Sequence, residues 1–268
     1  MPERVLHSRL AAAVFAGVLI IGLVAASLLL RPPDESGCQA FAAPGNEVWL
    51  GLGQSNAANF TQDRGKAVAA VGAYDGRRCR TARDPLPGAD GDGGSLWTPL
   101  AQAWVSERRA ARVLITVTAL SATSIADWQP GGELHRRALA RIDALARRGL
   151  TVTRILWVQG EADAILGTAG ADYERRLRAA LEPLHRASGA PVYIARVGRC
   201  GDAFSPAVRA AQDSMIASRN WARPGPDLDL IGPADRHERC HFARSGQRRA
   251  VALWLDALRG NQDLRPTP

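Results

Sequence analysis

From residue 47 onward, short apolar runs alternate with longer segments in which apolar residues recur every three to four positions. Residues 48–52, 113–117, 155–158 and 192–195 form runs of strand length, and a last strand is expected near 228–231. Residues 100–109, 134–148, 173–187, 206–218 and 246–258 carry the helical period. Apolar strands separated by helices predict a mainly parallel sheet covered on both faces, an α/β fold. The stretch 61–94 is rich in Gly, Asp, Arg and Pro and reads as an excursion over the strand ends.

The amino terminus has a different pattern. Residues 10–30 carry no charge, and RPPDES then breaks the run. Roughly 20 apolar residues suffice to cross a bilayer, more than the apolar region of a cleaved signal peptide. VAA at 24–26 resembles a cleavage site, but three leucines follow soon after it, so the run is expected to persist as a signal anchor. Arg4 and Arg9 before it, against Arg31 close after it, favour a cytoplasmic amino terminus and an outward-facing domain. The expected organisation is a cytoplasmic segment 1–9, a transmembrane helix 10–30, a linker 31–46, one domain over 47–260 and a tail 261–268.

Composition adds two constraints. The 268 residues, 46% of them hydrophobic, can build a sizeable core. The net charge of +8 comes almost wholly from arginine, since Lys66 is the only lysine. Those arginines are spread through the predicted helices without an aromatic-interleaved stripe, which argues against nucleic acid as a partner. Cys38, Cys79, Cys200 and Cys240 lack CxxC spacing and suit an oxidising compartment. Of the three possible connectivities, Cys38 with Cys79 and Cys200 with Cys240 is expected; the second pair would tie a strand-end loop to the segment holding His241. HERCH at 237–241 offers metal ligands from one short segment only, so no metal is expected, and His237 reads as a surface residue.

The first four predicted strands each end in polar chemistry: GQSN, TALSATSIADW, WVQGEAD and ARVGRCGD. Ligands bind at that edge of open α/β sheets. A serine hydroxyl needs a positioned base, and the base needs an orienting carboxylate. Ser55 is the candidate nucleophile and His241 the candidate base. Glu238, three residues before His241, is the candidate orienter, with Asp235 as the alternative. Oxyanion donors are expected at the amides of Ser55 and Gly94 and the side chain of Gln159. Gln54, Asn56, Glu161, Asp163 and Trp128 are expected to support the site. Asn56 could equally hold its loop, Glu161 and Asp163 are expected to fix the loop after the third strand, and Trp128 is the candidate cleft wall.

GQSN at 53–56, GGSLWTPLAQAW at 93–104, SIADWQPGGEL at 124–134, WVQGEAD at 157–163 and HFARSGQ at 241–247 together resemble the SGNH-hydrolase superfamily. The resemblance is to its sialate O-acetylesterase and plant-type acetyl xylan esterase branch, and covers about residues 47–258. It implies a flavodoxin-like three-layer sandwich, with Ser55 mapping onto the nucleophile, Gly94 and Gln159 onto oxyanion donors and His241 onto the base. Glu238 stands where the family usually has Asp, and Ser121 and Ala122 stand where it often has glycines. The implied activity is serine esterase chemistry on an acetylated carbohydrate, with no metal or organic cofactor. An O-acyltransferase using the same acyl-enzyme, and a carbohydrate-binding protein that keeps the fold without turnover, are the alternatives.

Overall fold

Strand β1 (Glu47–Gly53) is buried along its whole length, as a strand covered on both faces must be. It lies at the centre of a seven-stranded sheet in a computed structural model that describes residues 37–260. The other strands are β2 (Val71–Tyr74), β3 (Cys79–Thr81), β4 (Val113–Ala119), β5 (Arg154–Val158), β6 (Val192–Arg196) and β9 (Ala222–Asp227); a separate short hairpin, β7 (Arg199–Cys200) with β8 (Ala203–Phe204), follows β6. Their spatial order is β3-β2-β4-β1-β5-β6-β9, all parallel except β3, which runs antiparallel to β2.

Helices α1 (Trp97–Ser106) and α6 (Arg244–Gly260) cover one face of the sheet. Their Trp97, Trp104 and Trp254 pack with Trp49, Ile115 and Leu156. Helices α2 (Glu133–Ala146), α4 (Gly170–Ser188) and α5 (Pro206–Ser218) cover the other, where Ile142, Leu181 and Met215 meet Leu50, Leu52 and Ile194. At the amino ends of the central strands, Arg154 donates to both carboxylate oxygens of Glu47 at 2.7 and 3.1 Å and to Tyr193 Oη at 2.6 Å. This buried ion pair is satisfied on both sides, as burial of charge demands.

The expected three-layer architecture is present, with differences in detail. The stretch 61–94 contains β2 and β3, which widen the sheet beyond the sequence expectation. The last strand is Ala222–Asp227, whereas residues 228–230 form a 3-10 turn. Its RPGP sequence reads as a breaker, yet β9 is an edge strand, where a proline costs no ladder bond on its open side. A short helix, α3 (Glu161–Leu166), follows β5 directly. Cys38 and Phe41 are buried, so packing begins before residue 47, inside the expected linker. Both expected disulfides, Cys38–Cys79 and Cys200–Cys240, are formed. The apolar run 10–30 lies outside the described residues, and no helix among those is long and apolar enough to cross a membrane.

Candidate active site

From β1 the chain crosses to β2 and then β4 on one side, and later returns to β5 on the other. The carboxyl end of β1 is therefore the topological switch point, where such sheets open a crevice. Gly53 ends the strand with φ +138°, and a Cβ there would lie 1.8 Å from Val158 O. Only glycine permits this approach, and it places Ser55 at the start of a single turn, Ser55–Ala57, over the sheet edge.

Ser55 and His241 line one cleft of about 330 Å³, together with Gln54, Ala122, Leu166 and the Cys200–Cys240 disulfide. His241 begins β11 (His241–Phe242), which pairs with β10 (Arg236–His237) as a tight hairpin. Glu238 and Arg239 in its loop both have left-handed φ, +49° and +65°. That turn folds Glu238 back so that its Oε2 lies 2.8 Å from His241 Nδ1. The added methylene relative to aspartate is absorbed by the turn. The hydrogen bond from His241, and then its charge, hold the Glu238 carboxyl below its ordinary range. Since that carboxylate accepts, Nδ1 carries the proton and Nε2 keeps the lone pair that a general base needs.

Asp235 does not share this arrangement. Its carboxylate is engaged by Ser245 and Arg249 on α6, which also hold its pKa down. The alternative orienter thus anchors the last helix.

Two expected oxyanion donors are also placed elsewhere. The Gly94 amide donates to Thr61 O at 2.7 Å, in a bridge where a Cβ would collide with Asp63 O. Gln159 is fully buried; its amide nitrogen donates to Asp163 and Thr123 O, and its oxygen accepts from Tyr173. The cleft has other donors. Gln54 Oε1 accepts from the Ala162 amide at 3.1 Å, and because a peptide N–H only donates, this fixes the orientation of the Gln54 amide. Gln54 Nε2 has no acceptor among the described residues. Neither do the amides of Ser55 and Ala122. Ala122 sits at φ +59°, held there after Ser121, whose amide binds Asp90 at 3.0 and 3.1 Å. A non-glycine residue in that region costs on the order of 1 kcal/mol, and such strain gathers at functional sites.

The supporting residues form a buried lattice. Asn56 donates to Glu161 Oε1 at 2.7 Å and to Cys240 O at 3.3 Å, tying the Ser55 turn to the His241 hairpin. Burial pushes the Glu161 carboxyl up to about 7, against the opposing pull of Asn56 and Arg236. Asp163 accepts from the Ile125 amide and Thr168, fixing the loops after β4 and β5. Trp128, expected at the cleft wall, is instead fully buried with its ring 5.0 Å from Trp157. The sequence reading missed Arg236, whose buried guanidinium donates to the carbonyls of Ile231, Leu228 and Cys240 and so stiffens the hairpin. No local pattern distinguishes that arginine from the many exposed ones.

A family model described as "Carbohydrate esterase, sialic acid-specific acetylesterase" matches residues 45–251. A search of curated proteins finds no match. Among solved structures, a protein from Arabidopsis thaliana superposes with a TM-score of 0.67 at 18% identity, covering 81% of this chain and 99% of its own. NanS gives 0.59 at 12% identity over 82% and 98%. A variant of the acetyl xylan esterase Axe2 from Geobacillus stearothermophilus gives 0.53 at 12% identity over 81% and 96%. At these identities the structures speak to the fold, and the family model to the kind of enzyme: the chain belongs to the carbohydrate esterase, sialic acid-specific acetylesterase family and is a carboxylic ester hydrolase.

Proposed function

We propose that this protein is a membrane-anchored, extracytoplasmic serine esterase that removes O-acetyl groups from a carbohydrate. The observation that carries the mechanism is the placement of Ser55 and His241 in one cleft with Glu238 bonded to the far nitrogen of the ring. Ser55 Oγ attacks the ester carbonyl while His241 Nε2 takes its proton, and Glu238 stabilises the imidazolium. The tetrahedral oxyanion is held by the amides of Ser55 and Ala122 and by Gln54 Nε2, cleft donors with no competing acceptor among the described residues. His241 then protonates the departing sugar oxygen, and water activated by the same ring hydrolyses the acyl-enzyme.

The acetylated carbohydrate is supported by the family and by the likeness in fold to the acetyl xylan esterase Axe2 and to a carbohydrate acetylesterase from Xanthomonas citri. Anchoring and outward orientation are supported by the uncharged run 10–30 and its flanking arginines, and an oxidising compartment by the two disulfides. The test is hydrolysis of 4-nitrophenyl acetate and of an O-acetylated xylo-oligosaccharide by the full chain and by Ser55→Ala. A fall of at least ~10³-fold in kcat for both substrates is expected in the variant. Equal rates in the two proteins would exclude Ser55 as nucleophile.

A further inference from the structure

The proposed acyl transfer leaves one histidine of the hairpin without a task. His237 lies directly opposite His241 across β10 and β11, with ring centroids 5.5 Å apart. Its Nε2 is 2.8 Å from Phe60 O. A carbonyl only accepts, so Nε2 carries the proton and Nδ1 keeps its lone pair. A metal-binding imidazole is prepared in this way, one nitrogen pinned to a carbonyl and the other left to ligate. Glu238 Oε2 lies 3.9 Å from His237 Nδ1 and 2.8 Å from His241 Nδ1. One donor atom from each of the three residues falls within 4.8 Å of the others. Ligands at about 2.1 Å from one tetrahedral ion stand roughly 3.4 Å apart, so small side-chain rotations close the set. Glu238 is exposed and free to make them, while the disulfide at Cys240 keeps the adjacent backbone in place.

We propose that His237, Glu238 and His241 form an inhibitory site for a borderline transition metal, zinc being the ion that two imidazoles and a carboxylate suit best. The inference rests on His241 being the general base. Metal bonding to His241 Nδ1 displaces the proton there, which moves to Nε2; the ring stays neutral and no proton is released. Nε2 then has no lone pair with which to accept the Ser55 proton, and Glu238 is drawn from orienter to ligand. Occupancy therefore switches the esterase off without blocking the cleft.

The test is calorimetric titration of the untagged full chain carrying Ser55→Ala with zinc chloride, in parallel with zinc inhibition of wild-type hydrolysis. One zinc ion should bind, and adding His237→Gln, whose amide can still reach Phe60 O, should weaken binding about tenfold or more. Glu238→Gln in the same background should weaken it as well. His237→Gln alone should keep the basal rate and need about tenfold more zinc for half-inhibition, with chelator restoring wild-type activity. Absence of binding heat, or zinc binding and inhibition indifferent to His237→Gln, overturns the site. Because the Ser55→Ala titration needs no turnover, the two readings separate. A chain without esterase activity that binds zinc through His237 sinks the esterase and leaves the metal site. An active esterase whose zinc response ignores His237 sinks the metal site alone.

Discussion

Glu161 offers a sharp quantitative test of the buried lattice beneath Ser55. It opens α3, is fully buried, and accepts from Asn56 Nδ2 at 2.7 Å. Its second oxygen, Oε2, and Asn56 Oδ1 are both buried without partners among the described residues. Desolvation of the carboxylate dominates and pushes the group from 4.5 to about 7. The folded state therefore holds this proton more tightly than the unfolded chain does. Its contribution to stability is fully present below pH 4.5 and is lost as pH rises through about 7. At about 1.4 kcal/mol per pH unit, the loss between pH 5 and pH 8 comes to roughly 2 to 3 kcal/mol. Glu161→Gln replaces the titrating acid by an amide that is neutral throughout and can still accept from Asn56. Urea unfolding of both proteins at pH 5 and pH 8 gives the stability change across that interval for each. The wild-type loss should exceed that of the variant by roughly 2 to 3 kcal/mol, the contributions of all other groups cancelling in the difference. Equal pH dependence in the two proteins would refute the reasoning, since Glu161 would then titrate alike folded and unfolded.

Further outcomes follow from the same geometry. Gln54→Glu keeps the acceptor for the Ala162 amide but removes the cleft donor and adds a negative charge beside the oxyanion, so kcat for 4-nitrophenyl acetate should fall about 10²-fold or more with folding intact by circular dichroism. Glu238→Gln should lower kcat about 10- to 100-fold, less than loss of a buried triad acid because this carboxylate is exposed, whereas Asp235→Asn should leave kcat within about twofold. Arg154→Ala leaves the buried Glu47 carboxylate at the far end of the sheet without its counter-charge, though it keeps the bond from Trp49 Nε1, and should cost about 3 kcal/mol in urea unfolding, with the kcat of the remaining folded enzyme unchanged.

The hydrophobic pattern by itself determined the sheet and its covering helices. Strands buried on both faces must be apolar throughout, and the helices over them must show a stripe, so β1, β4, β5 and β6 are legible as runs. The cysteine pairs were legible too, and so were Ser55 and His241 as residues that share one cleft, because each is named by residue type and order along the chain. What escaped were elements whose stability comes from neighbours. β2 and β3 are short and pair within a Gly-rich stretch, and β9 carries two prolines that only an edge position tolerates.

Tertiary structure alone decided which polar groups are available for chemistry. Gly94 and Gln159 belong to a recognisable motif, yet Thr61 O takes the amide of one, and Asp163, Thr123 and Tyr173 consume the side chain of the other. Gln54 keeps a donor with no acceptor among the described residues because the Ala162 amide, distant in sequence, fixes its orientation. Glu238 rather than Asp235 reaches His241 because two left-handed residues curl the hairpin loop and Arg249 holds the rival. A residue type states what hydrogen bonds a group can make. Which of them it still has free depends on partners that only the folded chain brings into reach, since buried polar groups bond to whatever lies within about 3 Å.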